Sequence, residues 1–305
     1  MSTVTLRHWS EYIAARLAIC QLQELPVGAG LRLAEGTGAF AYHVLKGRSR
    51  TGRENIARAF PEYSPAEVEK LLKDVYRNLF RTGAEVFYLR KLVRPSTWRR
   101  FVEIVNVESA IEVFIAGRGC ILVTGHLGNW EFLGHVLPFI GIHAKALARP
   151  LDNPLLDRYI LGVRESGLQR ILDKKGSGTQ VERTLAEGGF VSILVDQDAG
   201  NRGAFVPFFN RPASTWRSTA VLAMKTGAPI LPGCCVRTGK GLAFRAIVGR
   251  PIYADPTADA TAETLRITAD FTKQIENWVR EYPQQYLWLH RRWKSVPGPR
   301  SIIAQ

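Results

Sequence analysis

From residue 101 onward, short apolar runs alternate with segments of helical spacing, and this alternation constrains the fold more than any other feature. The runs at 102–107, 120–124, 144–148, 170–172, 190–195, 230–236 and 244–248 read as strands. The segments at 108–115, 130–139, 154–166, 179–187, 215–225 and 262–281 read as helices. Strands alternating with helices predict an α/β fold with a central, mostly parallel sheet flanked by helices. Ligands of such sheets bind beyond the carboxyl ends of strands, so chemistry is expected just after Thr124, Val195 and Val236.

The first hundred residues read as helical. Segments 12–22 and 31–45 are apolar at helical spacing. Ser64-Pro65-Ala66-Glu67 is a helix start, with Ser as N-cap, Pro at N1 and Glu at N3. Val68, Leu71, Leu72, Val75, Leu79 and Phe80 then recur on one face of a helix that can run to Leu89. The chain is therefore expected to divide into a helical part, 1–100, packed on an α/β core, 101–305, within one structural domain. Arg16, Glu24, Arg32 and Glu35 interrupt the longest apolar region, so no span of about 20 apolar residues forms. Membrane contact, if made, is expected along the surface. The N-terminus lacks the build of a signal peptide.

Charge narrows the partners. The 305 residues carry a formal net charge of +14, which implies nucleic acid, an acidic protein, a phosphorylated substrate or an anionic membrane, or simply a basic surface. A hydrophobic fraction of 46% excludes a disordered chain. Cys20, Cys120, Cys234 and Cys235 show neither CxxC nor zinc spacing and are read as buried, reduced thiols of a cytosolic compartment.

The first strand-end segment is Thr124-Gly125-His126-Leu127-Gly128-Asn129-Trp130-Glu131. In one continuous helix, five steps of about 100° would set His126 and Glu131 on different faces. With His126 on the loop and Asn129 as N-cap, Glu131 takes the second helical position and could fold back to the imidazole, fixing its tautomer for general-base work. The plainer alternative is a His that caps a turn. The second segment, Val195-Asp196-Gln197-Asp198-Ala199-Gly200-Asn201-Arg202-Gly203, could supply a second base or a substrate contact through Asp196 and Asp198, or form a simple Asx turn. It lacks the further ligands of a calcium loop, and no metal is expected.

The third segment, from Ala204 through Arg211 to Thr215, mixes aromatics, Pro and Arg; it reads as an apolar wall with a phosphate-binding rim, or as a packed loop. Arg149 and Arg164 follow His126 and are candidates for binding phosphate or an oxyanion. The run 285–294 mixes aromatics with basic residues, which suits a lipid headgroup, nucleic acid or a core-docking helix. A G-x-S-x-G elbow, a Walker A loop and a dinucleotide fingerprint are absent.

In this order the segments resemble the bacterial lipid A biosynthesis acyltransferases, the late lauroyl/myristoyl transferases of the wider His-x4-Asp/Glu glycerolipid acyltransferase group. The residues that carry the resemblance are Gly125 to Glu131, Arg149 to Pro154, Asp196 to Gly200, Phe205 to Thr215, Thr226 to Ile230 and Gln285 to Lys294, with Arg53-Glu54-Asn55-Ile56 and Ala59-Phe60-Pro61-Glu62 earlier. The resemblance implies a glycerolipid acyltransferase-like fold with a helical N-terminal membrane-associating segment. It implies transfer of a fatty acyl group from acyl carrier protein to a hydroxyl of a lipid A precursor, with no cofactor beyond the acyl thioester. His126 would deprotonate the hydroxyl and Glu131 would hold His126. Arg164, Arg149 and Asn129 would bind oxyanion or phosphate, and Asp196, Asp198, Arg202 and Arg211 would belong to the substrate site. Expected partners are acyl carrier protein, a phosphorylated glycolipid acceptor and an anionic membrane surface, with no nucleic acid. The expected location is peripheral, or monotopic, on the cytoplasmic face of the inner membrane. Many members begin with a transmembrane helix and this sequence does not, so related phosphatidylinositol mannoside acyltransferases that use acyl-CoA stay open. So does a non-catalytic protein that binds membrane or nucleic acid through its charge.

Overall fold

Ser64 starts the longest helix of the chain as its sequence requires. Its hydroxyl accepts from the Glu67 N–H, and the Glu67 carboxylate accepts from the Ser64 N–H. The computed structural model describes residues 4–165, 168–173, 176–299 and 301–304. Four helices lead: α1 (Leu6–Glu24), α2 (Val27–Val44), α3 (Lys46–Ala59) and α4 (Pro65–Leu92). The stripe Val68, Leu71, Leu72 and Val75 on α4 is buried. Helix α3 lies within the part read as helical, between the segments whose periodicity marks them individually. It buries only Ser49, Gly52, Asn55, Ile56 and Ala59, so it offers few large apolar side chains for a periodicity to register.

The core follows as β1 (Val102–Val105), α5 (Val107–Ile115), β2 (Cys120–Thr124), α6 (Trp130–Val136), β3 (Lys145–Ala148), α7 (Pro154–Glu165), β4 (Arg170–Asp173), α8 (Gly178–Ala186) and β5 (Phe190–Leu194). It continues with β6 (Ala204–Phe208), β7 (Arg211–Thr215), α9 (Ser218–Thr226), β8 (Ile230–Arg237), β9 (Phe244–Val248), α10 (Ala260–Glu281) and β10 (Ile302–Ile303). All seven expected strands form one sheet in the order β1-β9-β8-β2-β5-β3-β4. Every pairing in it is parallel except that of β8 with β9. The helix expected to end at Ser166 is described as far as Glu165; Ser166 lies outside the described residues, as do Met1 to Thr3 of the N-terminus.

Three readings need correction. The segment read as a wall or packed loop is the hairpin β6–β7, which joins β10 in a second sheet. Its two-residue turn, Phe209-Asn210, has positive φ at both positions, as the twist of a tight hairpin demands. The aromatic-basic run 285–294 docks in the core, as one of its readings had it, but as irregular chain rather than a helix, and not as a surface patch: Tyr286, Trp288, Leu289 and Arg292 are buried. Cys20 is exposed, whereas the other three thiols are buried. The largest apolar cluster runs from Ile56, Leu72 and Tyr76 of the leading helices to Ile121, Ile230 and Phe271 of the α/β part.

Candidate active site

Strand register builds the site. In the parallel pair β2–β5, Thr124 lies opposite Leu194, so the residues two steps beyond each strand meet across the carboxyl edge. They are His126 and Asp196. The Asp196 carboxylate accepts from both N–H groups of His126: Oδ2 from the backbone amide at 2.7 Å and Oδ1 from Nδ1 at 2.7 Å. Holding the Nδ1 proton on a carboxylate leaves the Nε2 lone pair free. Burial alone would raise the Asp196 pKa, but the facing charge of His126, the two hydrogen bonds from it and the charge of Arg292 hold it below the usual aspartate value.

The rest of the loop is set by main-chain contacts. Asn129 caps α6, its Oδ1 accepting from the Phe132 N–H at 2.8 Å, as expected. The Asn129 N–H donates to Cys235 O of β8 at 2.7 Å. This closeness requires Gly128, which has φ +65° and would otherwise place a Cβ 2.0 Å from Cys235 O. The Trp130 ring stands edge-on to the imidazole with centroids 4.9 Å apart.

Glu131 stands at the second helical position, yet it does not hold His126. Its carboxylate forms a two-pronged pair with Arg164 of α7, accepting from Nε at 2.9 Å and from a terminal N–H at 2.5 Å. The reason is geometric: a side chain in the first turn projects outward toward α7, and Asp196 already occupies Nδ1. Burial works against the Arg164 charge, but Glu131 more than offsets it and the pKa is raised. Asn129 does not face substrate either. It is fully buried, and its Nδ2 donates to Glu85.

His126, Trp130, Glu131, Arg149, Arg164 and Gln197 line a cavity of about 250 Å³ at the sheet edge. Arg149 is exposed at its rim and paired with Asp152. Asp198 turns away from His126, accepting from the Gly200 N–H and from Ser295. Arg202 and Arg211 are exposed and lie outside the lining. The segment after Val236 supports rather than lines the site, because buried Arg237 pairs with Glu85. Sequence reasoning missed Gln197, whose amide lies 3.5 Å from His126 Nε2, and Trp216. The strand-end rule pointed to Gln197, whereas nothing local marked Trp216. A second, apolar cavity of about 280 Å³ lies between the sheet and helices α5 and α6, and Thr124, Leu133, Leu137 and Ser192 line both. Among the described residues, no three His, Cys, Asp or Glu side chains converge as metal ligands.

A cavity of mixed lining with an oriented imidazole, sharing wall residues with an apolar one at the carboxyl edge of an α/β sheet, suits acid–base chemistry on an amphipathic substrate. Comparison with known proteins gives that class its family. The bacterial lipid A biosynthesis acyltransferase family matches residues 2–295, and the chain belongs to it. It is an acyltransferase. It is 30% identical over 302 residues to the lipid A biosynthesis lauroyltransferase of Escherichia coli, covering 95% of this chain and 93% of that one. Identity to the palmitoleoyltransferase of the same organism is 27% over 305 residues, covering 97% and 95%. A phosphatidylinositol mannoside acyltransferase of Mycobacterium tuberculosis is 26% identical over 298 residues, covering 95% and 90%.

Proposed function

We propose that the protein transfers a fatty acyl chain from acyl carrier protein to a hydroxyl of a lipid A precursor, with His126 as the general base. The observation that carries this reading is the Nδ1–Asp196 bond, which leaves Nε2 beside the cavity as proton acceptor. Nε2 takes the hydroxyl proton as the oxygen attacks the thioester carbonyl. Arg164, which lines the same cavity, is assigned to stabilise the oxyanion, and as the tetrahedral centre collapses the imidazolium returns its proton to the leaving thiolate. No acyl-enzyme intervenes. The apolar cavity takes the acyl chain, an assignment supported by its almost wholly hydrocarbon lining.

The protein works from the cytoplasmic face of the inner membrane as a peripheral protein. No helix among the described residues is long and apolar enough to cross a membrane. Leu6, Trp9, Ile13 and Leu17 form an exposed stripe on α1, and Leu33, Phe40 and Val44 another on α2; exposed Lys46, Arg48 and Arg50 follow directly. Apolar stripes beside basic residues fit an anionic bilayer surface. The similarity to a phosphatidylinositol mannoside acyltransferase supports a second reading, with a mannolipid as acceptor, for which acyl-CoA is the donor to test.

Mass spectrometry of lipid A from cells with and without the gene tests the first reading: a missing secondary acyl chain supports it, and unchanged lipid A overturns it. With purified protein, His126→Ala abolishes transfer while leaving the fold intact. Near-normal transfer by a folded His126→Ala variant would remove the general base.

A further inference from the structure

The run 285–295 is a strap behind the site. Its first residues pair with the His126 loop: the Gly128 N–H donates to Gln285 O and the Leu287 N–H to His126 O, both at 3.0 Å, with Leu127 and Tyr286 forming an antiparallel bridge. Its far end grips the loop after β5. The Asp198 N–H donates to Nε2 of His290 at 3.0 Å, and the Ser295 amide and hydroxyl donate to the Asp198 carboxylate at 3.2 and 3.0 Å. The strap is itself anchored. Buried Asn55 of α3 donates to the carbonyls of Trp288 and His290 at 2.8 and 2.6 Å, and Arg292 donates to Thr215 Oγ1 at 2.6 Å.

One piece of chain thus holds both segments whose side chains must meet. We propose that His290 is a positioning residue for the His126–Asp196 pair: its Nε2 lone pair fixes the 196–198 backbone and so sets the Asp196 carboxylate against both N–H groups of His126. Only a neutral imidazole can accept the Asp198 N–H. An imidazolium would meet that amide with a donor and add positive charge beside His126 and Arg292. Burial, Arg292 and His126 disfavour that charge while Asp196 and Asp198 favour it; the sum lies below the ordinary histidine value, which keeps the acceptor neutral.

The inference rests on His126 being the base, so its test separates the two. Full-length wild type, His290→Ala, His290→Gln and His126→Ala are compared with an acyl carrier protein thioester and a lipid A precursor. Glutamine keeps a carbonyl acceptor near the Nε2 position; alanine does not. His290→Ala lowers kcat about 100-fold with KM within about threefold, and His290→Gln recovers to within about fivefold of wild type. Histidine-selective nitrogen-15 NMR adds a readout independent of turnover. The Nδ1–H tautomer of His126 persists in His290→Gln and gives way to a mixture of tautomers in His290→Ala. Wild-type kcat and an intact His126 tautomer in folded His290→Ala overturn the proposal, as does His290→Gln failing as badly as alanine. Activity surviving in His126→Ala overturns the base reading instead, while the NMR still reports whether His290 sets the pair.

Discussion

Asp196 binds the backbone and the ring of the same histidine with one carboxylate, which fixes both where His126 stands and which nitrogen is free. Asp196→Asn is nearly isosteric but places an amide N–H against Nδ1, forcing the proton to Nε2. We expect kcat to fall about 1,000-fold or more with the fold retained, measured by acyl transfer alongside circular dichroism. Stability carries the same signature. The folded pKa of Asp196 is depressed, so its stabilisation is complete above the ordinary value of about 3.9 and lost as pH falls through the folded value. The Tm gap between wild type and Asp196→Asn should therefore narrow as pH drops below about 4. A gap that widened in acid would contradict an Asp196 carboxylate held ionised by the His126 loop.

At the scale of elements, two ion pairs tie helices to the site. Glu131 on α6 and Arg164 on α7 are both mostly buried, and a double-mutant cycle on the two should give a coupling of about 1–2 kcal/mol. Coupling near zero would make the pair incidental. Deeper in the fold, Glu85 of α4 accepts from Arg237 of β8 at 2.7 and 2.9 Å, from Arg81 at 2.9 Å and from the α6 cap Asn129 at 2.8 Å. It is fully buried, as a residue with this many charged partners can be. Glu85→Gln leaves Arg237 buried beside a neutral group. Denaturant unfolding should show a loss of about 3 kcal/mol, whereas a loss below about 1 kcal/mol would mean that Arg237 finds another acceptor.

For the whole molecule, two neighbouring cavities share wall residues behind the site, and exposed apolar stripes run along α1 and α2. If the apolar cavity takes the acyl chain, narrowing it at Ala246, on β9 among its lining, should shorten the chain transferred. Ala246→Phe is expected to shift product lipids toward shorter acyl groups by mass spectrometry; an unaltered distribution places the chain elsewhere. Trp9→Ser with Leu17→Ser should weaken sedimentation with anionic vesicles without lowering the Tm, because both side chains are exposed. Equal binding by this variant would take α1 out of the membrane contact.

The sequence by itself determined what depends on near neighbours. The Ser64 capping box, the Asn129 cap, the seven strands of the main sheet and the strand-end position of His126 all follow from spacings within a few residues. Periodicity does not delimit an element where the apolar signal is sparse, as in α3, and it fails where alternation is broken by Pro207 and Pro212, as in the β6–β7 hairpin. Tertiary structure alone decided the partners. Glu131 is five residues from His126 in sequence, yet Asp196, seventy residues on, holds it, because strand order puts β5 beside β2 and register sets 196 opposite 126. The same holds for the strap, whose aromatic and basic composition suited a headgroup, nucleic acid or the core alike and which long-range hydrogen bonds hold in the core. Local pattern fixes where a side chain begins; which group it meets depends on sheet order and register, which no short window of sequence contains.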